Sequence, residues 1–221
     1  MLEKNKLGLL GLGNRSTLFY INGLNSVFNK TTGGYSTCPF TMINTNFDAI
    51  NLRLPDVSEA LSEIVQAYIS EIENMGITYL LVPNITLHET IDGLKHNLTV
   101  LHPVKTCIAK LKENHWKQVV LFGSMHTMQS GYIRSQFAQN NIETRLPEKQ
   151  DMLLIDQVRT AVYAETQTET LINEYRYILN KYAQNHPVVL ACTELSVIES
   201  NQENVIDMAQ LQIEKAVNTV L

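Results

Sequence analysis

The chain has 221 residues, of which 44% are hydrophobic and 18% charged, and its formal net charge at pH 7 is −5. This size and composition fit a globular protein with one large domain or two small ones. An acidic chain without a basic run argues against a nucleic-acid-binding surface, and no apolar stretch approaches the about 18 residues that span a bilayer. We therefore predict neither a nucleic-acid nor a membrane partner.

Three strands are predicted in the first half of the chain, at residues 7–13, 39–46 and 77–84, where short apolar runs end in polar or glycine residues. Between them, helices are predicted from residue 16 to about 29 and over residues 56–76, in which apolar side chains recur at helical spacing. The second half continues this alternation, with strands at residues 117–124 and 142–147 and a strand that ends at Cys192. Its helices are predicted at residues 127–141, 149–165, 168–185 and from about 205 to the end.

Strands that alternate with helices in this way predict parallel sheets flanked by helices, which is the α/β class. The two halves are similar at this coarse level, and the stretch TVLHP at residues 99–103 marks a boundary between them. We predict two α/β lobes that face each other. The first comprises residues 1–100 plus about 205–221, and the second comprises residues 101–204.

The three cysteines, Cys38, Cys107 and Cys192, are widely spaced and odd in number. This spacing indicates neither a disulfide framework nor a metal site. The N-terminal residues lack the long apolar region of a signal peptide, and unpaired thiols suit a reducing compartment. We therefore predict a cytoplasmic protein without a metal, in which Cys38 and Cys107 are packing residues.

The first strand ends in GLGNRST, which resembles part of a dinucleotide-binding fingerprint. Gly11 and Gly13 have the correct spacing, but Ser16 occupies the position of the third glycine. The acidic residue that such sites carry about 20 positions later is missing. The pattern therefore favours a tight turn, whose backbone N–H groups can hold a carboxylate at a helix N-terminus.

Polar residues follow three other predicted strands. Because ligands bind at the carboxyl ends of parallel strands, these residues are candidates for a site. They are Asn84, Thr86 and His88 in the first lobe, and Ser124, Thr127, Cys192, Thr193 and Glu194 in the second. A purely structural interpretation is open for each: Thr127 and Thr193 as helix caps, His88 as a packing residue that satisfies a backbone group, and Cys192 as a small buried thiol.

In their order and spacing, these stretches resemble the aspartate/glutamate racemase family over nearly the whole chain. That family has a glycine-rich turn with a Ser-Thr pair, a Gly-Gly loop, and the motifs Cys-Asn-Thr-x-His, Gly-Thr-x-x-Thr-Met and Cys-Thr-Glu. The glycine-rich turn corresponds to GLGNRST and the Gly-Gly loop to residues 33–34, and the three motifs correspond to residues 84–88, 123–128 and 192–194. Only residues 192–194 match their motif in full. Two further matches are NFDAI at residues 46–50 and Tyr132.

The resemblance implies two pseudo-symmetric lobes with the active site in the cleft between them, often in a homodimer, and an amino-acid racemase that uses no cofactor. Its substrate would be a small dicarboxylate such as aspartate or glutamate, and Cys192 would be an acid/base on one face of Cα. Asn84 occupies the position of the opposing catalytic Cys. The resemblance implies substrate contacts at Gly13, Thr17, Ile85, Thr86, Ser124, Thr127, Thr193 and Glu194.

The sequence departs from the family pattern in the first lobe. Asn84 stands where the family has its first Cys, and Ile85 stands where it has Asn. An amide can neither take nor give a proton in the physiological range. Three hypotheses therefore stay open: a racemase-like isomerase with impaired or altered activity, a single-Cys enzyme of the decarboxylase type, and a non-catalytic relative that binds a small acid or a partner protein.

Overall fold

Parallel β-sheets with helices between their strands make up both halves of the protein. The computed structural model describes residues 6–198 and 202–221. The chain divides into two compact units: the described residues up to His102 together with Gln212–Leu221, and the unit Pro103–Leu211. None of the helices in the described ranges is long and apolar enough to cross a membrane.

The first unit is built on a four-stranded parallel sheet with the strand order β2-β1-β3-β4. Its elements in chain order are β1 (Leu7–Gly11), α1 (Asn14–Thr32), β2 (Thr41–Asn44), α2 (Phe47–Asn51), α3 (Glu59–Asn74), β3 (Tyr79–Leu81), α4 (Leu87–Ile91) and β4 (Thr99–Val100).

The second unit is built on another four-stranded parallel sheet with the equivalent order β6-β5-β7-β8. Its elements are α5 (Pro103–Glu113), β5 (Gln118–Phe122), α6 (Met125–Gln129), α7 (Gly131–Gln139), β6 (Glu143–Arg145), α8 (Lys149–Tyr163), α9 (Glu169–Ala183), β7 (Val188–Leu190), α10 (Thr193–Ser196) and β8 (Val205–Asp207). Helix α11 (Met208–Val220) follows and continues into the first unit. The predicted α/β class with parallel sheets is confirmed.

Helix α3 shows how the sequence pattern produces the layers. Ser58 caps the helix by accepting a hydrogen bond from the Leu61 backbone N–H at 3.2 Å. Leu61, Val65 and Ile69 recur every four residues, so they share one face of the helix, and all three are fully buried. This face packs with the buried side chains of β1 and β3 in one apolar core. In the second unit, α8 and α9 cover β5 and β7 in the same way.

The end of the chain differs from the sequence prediction. Residues 205–207, predicted as the start of the closing helix and assigned to the first lobe, form β8 instead. They pair in parallel with β7, because Val205 and Ile206 extend the second sheet beside Val188 and Val189. The helix begins only at Met208, and the second unit extends to Leu211.

The helix predicted over residues 127–141 is also wrong in detail, because it is two helices. Ser130 ends α6 and starts α7, and its hydroxyl accepts a hydrogen bond from the Tyr132 backbone N–H at 3.1 Å. The side-chain hydroxyl of a serine competes with the helical pattern in this way. Helix α2 and strand β4 were not predicted from the sequence, because they are too short to show a clear periodicity.

Gln212 holds the last helix in the first unit, and its removal is expected to destabilise the protein. Its fully buried side chain accepts a hydrogen bond from the Tyr20 hydroxyl at 2.6 Å and donates one to the Leu101 carbonyl. The Gln212→Ala variant loses both bonds and is expected to lower the free energy of unfolding by roughly 1–3 kcal/mol. Urea denaturation measures this loss.

Asn218→Ala is the matched control, since Asn218 is an exposed amide on the same helix. We expect this substitution to change the unfolding free energy by less than about 0.5 kcal/mol. Equal losses in the two variants would show that the Gln212 hydrogen bonds do not contribute to stability.

Candidate active site

Cys192 lies at the carboxyl end of a central strand of the second sheet. Strand β7 pairs in parallel with β5 on one side and β8 on the other, and Cys192 follows its last residue, Leu190, by two positions. Cys192 has an extended backbone and is itself the N-cap residue of the four-residue helix α10. The interpretation of Thr193 as the N-cap is therefore wrong, because Thr193 is already the first residue of the helix.

The Cys192 thiol donates a hydrogen bond to a neighbouring carboxylate. Its Sγ lies 2.9 Å from Glu194 Oε2. Burial raises the pKa of Cys192 well above its ordinary value, and the charge and hydrogen bond of Glu194 raise it further, while the Arg159 guanidinium acts in the opposite direction. A hydrogen bond to the Glu194 backbone at the start of α10 also lowers the pKa of Cys192, but burial and the Glu194 carboxylate outweigh the two lowering effects. At neutral pH Cys192 is a thiol, which is a proton donor, and it needs a base to become a thiolate.

The loop after β5 leaves the same sheet edge as the Cys192 loop. Phe122 of β5 is paired with Leu190, and the Ala191 backbone N–H donates to the Phe122 carbonyl at 2.7 Å. Ser124 caps α6 by accepting the Thr127 backbone N–H at 3.1 Å, and the hydroxyls of Ser124 and Thr127 lie 2.8 Å apart. The cap is thus Ser124 and not Thr127. Neighbouring parallel strands therefore bring a thiol, a carboxylate and two hydroxyls to one edge.

Gly123 allows this loop to pack closely. A Cβ at this position would lie 2.9 Å from Thr127 Cγ2 and 3.3 Å from the Ala191 carbonyl oxygen. A side chain would therefore push α6 away from the sheet edge. The glycine is needed here for a close approach of the backbone to its neighbours.

In the first unit, the turn after β1 is held by a threonine. The Thr17 hydroxyl donates to the Leu12 carbonyl at 3.1 Å and accepts the Leu12 backbone N–H at 3.0 Å. Thr17 is buried, and Gly13 occupies the N-cap position of α1. The immediate role of the Thr17 hydroxyl is therefore to close the turn that starts α1.

The loop after β3 carries Asn84, Ile85, Thr86 and His88. The Asn84 Oδ1 accepts the Leu87 backbone N–H at 2.9 Å, so this amide supports the start of α4. Ile85 is buried, and Thr86 is partly buried. His88 is fully buried with its Nε2 3.2 Å from the Val82 carbonyl oxygen, which confirms the packing interpretation. Because β1 and β3 are paired neighbours, this loop and the Gly13 turn leave adjacent strands.

A charged pair on α8, which was not predicted from the sequence, lies beside the Cys192 loop. Asp156 and Arg159 form an ion pair with 2.9 Å between Arg159 Nε and Asp156 Oδ1. The charge of Arg159 interacts with both Cys192 and Glu194. The only signal in the sequence is the i, i+3 spacing of opposite charges, which is common on exposed helix faces and does not point to a site.

Alkylation is expected to label Cys192 faster than the other two cysteines. Cys192 is partly exposed, whereas Cys38 and Cys107 are buried, so a reagent reaches the Cys192 sulfur more readily. Only the thiolate reacts, so the Cys192 rate should keep rising as the pH increases beyond 9.0, its ordinary pKa. Iodoacetamide labelling followed by peptide mass spectrometry measures the three rates.

Glu194→Gln is expected to accelerate this labelling at a fixed pH. The substitution removes the negative charge that raises the Cys192 pKa, and each unit of pKa lowered increases the thiolate fraction about tenfold. Glu174→Gln is the control, because Glu174 is an exposed carboxylate on α9 of the same unit. A Glu194→Gln rate equal to the native one would contradict the coupling of these two side chains.

Known proteins resemble the chain in sequence pattern and in fold. The sequence model of the Asp/Glu/Hydantoin racemase family matches residues 9–216. Among solved structures, an aspartate racemase homologue from Pyrococcus horikoshii OT3 is 16% identical, with a TM-score of 0.84 over 97% of this chain and 98% of that one. The aspartate racemase of Picrophilus torridus is 20% identical, with a TM-score of 0.79 over 98% of this chain and 94% of that one. Among curated proteins, none matches the chain.

Proposed function

Because the chain belongs to the Asp/Glu/Hydantoin racemase family, we propose that it is a cofactor-independent racemase-type isomerase of a small dicarboxylic amino acid such as aspartate or glutamate. In this proposal Cys192 transfers the proton at Cα. The observation that carries it is the thiol at the carboxyl end of β7, hydrogen bonded to the Glu194 carboxylate at 2.9 Å.

The hydrogen bond between Cys192 and Glu194 gives the thiol proton a route to the carboxylate. Although the resting equilibrium favours the thiol, Glu194 is positioned to accept its proton as the general base, which leaves a thiolate and a protonated carboxyl group. The thiolate then takes the Cα proton of the substrate, so that an S–H bond forms while the C–H electron pair stays on carbon. The same thiol can return a proton to the same face. A positioned acid/base group of this kind contributes roughly 10²–10⁴ to the rate.

The negative charge that develops on the substrate needs hydrogen-bond donors. The hydroxyls of Ser124 and Thr127 lie at the neighbouring strand end and can supply them. The proposal assigns substrate contacts to strand-end residues of both units: Gly13, Thr17, Ile85 and Thr86 in the first, and Ser124, Thr127, Thr193 and Glu194 in the second. The Thr17 hydroxyl also closes the turn before α1, because it is hydrogen bonded to the backbone of Leu12.

Asn84 limits the reaction to one face in this proposal. Its side chain accepts the Leu87 backbone N–H, and an amide does not exchange protons as an acid or base. We propose that Asn84 lies on the substrate face opposite Cys192, as the family resemblance implies. Inversion of Cα is then slow, while removal and return of the proton on the Cys192 face is retained.

A one-sided enzyme of the decarboxylase type is the second candidate function. Of the three cysteines, only Cys192 lies at the carboxyl end of a strand, since Cys107 is within α5 and Cys38 precedes β2. Decarboxylation of a malonate produces a carbanion that needs a proton on one face only, so a single thiol is sufficient. A non-catalytic acid-binding protein would have no use for the Cys192–Glu194 proton route.

A panel of small acids tests these functions together. The native protein is incubated with aspartate, glutamate and a substituted malonate in deuterated water, and deuterium at carbon is followed by NMR. Exchange at Cα of an amino acid supports the proposed isomerase, whereas loss of carbon dioxide from the malonate supports the second candidate. Binding seen as a thermal shift without either reaction would contradict both enzymatic proposals.

Two predictions from the sequence, that the protein is a homodimer and that it is cytoplasmic, stay predictions. Light scattering of the purified protein tests the oligomeric state, and a mass twice that of one chain is the expected result. A mass of one chain at micromolar concentration would contradict the dimer.

A further inference from the structure

Arg159 is tied to the loop that carries Ser124. Asp156 Oδ1 accepts two hydrogen bonds, one from the Met125 backbone N–H at 3.0 Å and one from Arg159 Nε at 2.9 Å. Met125 directly follows Ser124 and is the first residue of α6. Asp156 therefore fixes the guanidinium of Arg159 relative to the strand end of β5.

Helix α8 also lies next to the loop that carries Cys192. Helix α8 packs against α10, which starts directly after Cys192, and it also packs against α6. The charge of Arg159 acts on both the Cys192 thiol and the Glu194 carboxylate. The Arg159 side chain is partly buried, with 29% of its surface exposed.

The hydrogen bonds of Arg159 leave part of its donor set available. Nε donates to Asp156, and Nη2 donates to the Thr160 hydroxyl at 3.1 Å. Within the described parts of the chain, no residue accepts a hydrogen bond from Nη1. A guanidinium has five N–H donors in a planar fork, and this fork matches the two oxygens of a carboxylate.

Arg176 provides a contrast within the same unit. It lies on the neighbouring helix α9 and is exposed, and its hydrogen bond goes to Asn173 one turn away on its own helix. It thus behaves as an ordinary surface arginine. Arg159 differs because the partly buried Asp156 carboxylate holds it beside the loops that carry Ser124 and Cys192.

We infer that Arg159 binds a carboxylate of the substrate beside Cys192, so that the carbon next to this carboxylate reaches the thiol. The inference rests on the proposed function and adds a cationic residue that selects acidic substrates. It assigns to Asp156 the role of a positioning residue, because Asp156 acts on the substrate only through Arg159.

Two alkylating reagents of similar size and different charge test this role. In both iodoacetate and iodoacetamide, Cys192 Sγ attacks the CH₂ carbon, the S–C bond forms, iodide leaves and the thiol proton goes to solvent. Only iodoacetate has a carboxylate next to the reacting carbon. The ratio of the two labelling rates at Cys192, measured by peptide mass spectrometry, therefore reports carboxylate binding, and any change in thiol reactivity cancels.

We expect Arg159→Gln to lower the iodoacetate-to-iodoacetamide ratio at Cys192 by about tenfold, as expected for one charge-assisted hydrogen-bonded contact. Arg159→Lys, which keeps the charge and loses the fork, should give an intermediate ratio. Arg176→Gln, the matched loss of charge on α9, should keep the native ratio. Melting temperatures identify any variant that fails to fold.

A native ratio in both Arg159 variants would overturn the inference. The readout needs no turnover, so it is separate from the proposed reaction. A lowered ratio in a protein that shows no Cα exchange would support the carboxylate site while it contradicts the isomerase. Conversely, Cα exchange in the native protein together with an unchanged ratio would retain the isomerase and reject the role of Arg159.

Discussion

Cys192→Ala is expected to lower the exchange rate of the Cα hydrogen of aspartate or glutamate by a factor of roughly 10²–10⁴, which is the contribution of one positioned acid/base group. The alanine side chain cannot take a proton, and the Cys192–Glu194 hydrogen bond is lost with the thiol. NMR in deuterated water measures the rate as deuterium enters at Cα. Cys192→Ser should lose nearly as much, because a serine hydroxyl is a far weaker acid than a thiol.

Cys38→Ala is the matched control for this loss. Cys38 is a buried cysteine of the first unit that precedes β2, so its removal should leave the exchange close to the native rate. Exchange that survives in Cys192→Ala would show that another group transfers the proton. Equal losses in Cys38→Ala and Cys192→Ala would point to a general loss of structure rather than of an acid/base group.

Asn84→Cys is expected to raise the rate of inversion by roughly 10²–10⁴, because it supplies the acid/base group that the opposite face of the substrate lacks in our proposal. Chiral chromatography of aspartate and glutamate over time gives this rate. The substitution also removes the acceptor of the Leu87 backbone N–H, so some loss of stability is expected beside the gain in inversion.

Asn84→Ser separates these two effects. Serine keeps a side-chain oxygen that can accept the Leu87 N–H, as serine does at helix starts, but its hydroxyl cannot act as the second acid/base. We expect no gain in inversion from it. If the native protein already inverts its substrate as fast as Asn84→Cys, the second base lies elsewhere and the interpretation of Asn84 is wrong.

Periodicity was sufficient to predict the layers of the fold. The spacing of the apolar residues in α3 fits a helix, whereas the apolar runs at β5 and β7 predict strands through their short length and their β-branched residues. Strand β8 and its pairing with β7 could not be predicted from periodicity. Val205 and Ile206 pair with β7, but three residues directly before a helix carry no periodic signal of their own.

The residues at the carboxyl ends of the strands could be predicted, because each of them directly follows an apolar run in the sequence. Their protonation states could not be predicted, because these depend on contacts in the folded protein. Glu194 is two residues from Cys192 in sequence, but the direction in which it shifts the thiol pKa follows from the 2.9 Å hydrogen bond and from burial. Arg159 is 33 positions earlier in the chain, on a different helix. Arg159 lies near Cys192 because α8 packs on α10. No local sequence pattern predicts this packing.

The most direct test of the account compares exchange with inversion in the native protein. L-aspartate, D-aspartate and both enantiomers of glutamate are incubated separately in deuterated water, and the same samples are analysed by NMR for deuterium at Cα and by chiral chromatography for inversion. We expect one enantiomer to be deuterated faster than it is inverted, by a factor of roughly 10²–10⁴, since only Cys192 moves the proton. Inversion that keeps pace with deuteration, or no deuteration of any of the four substrates, would contradict it.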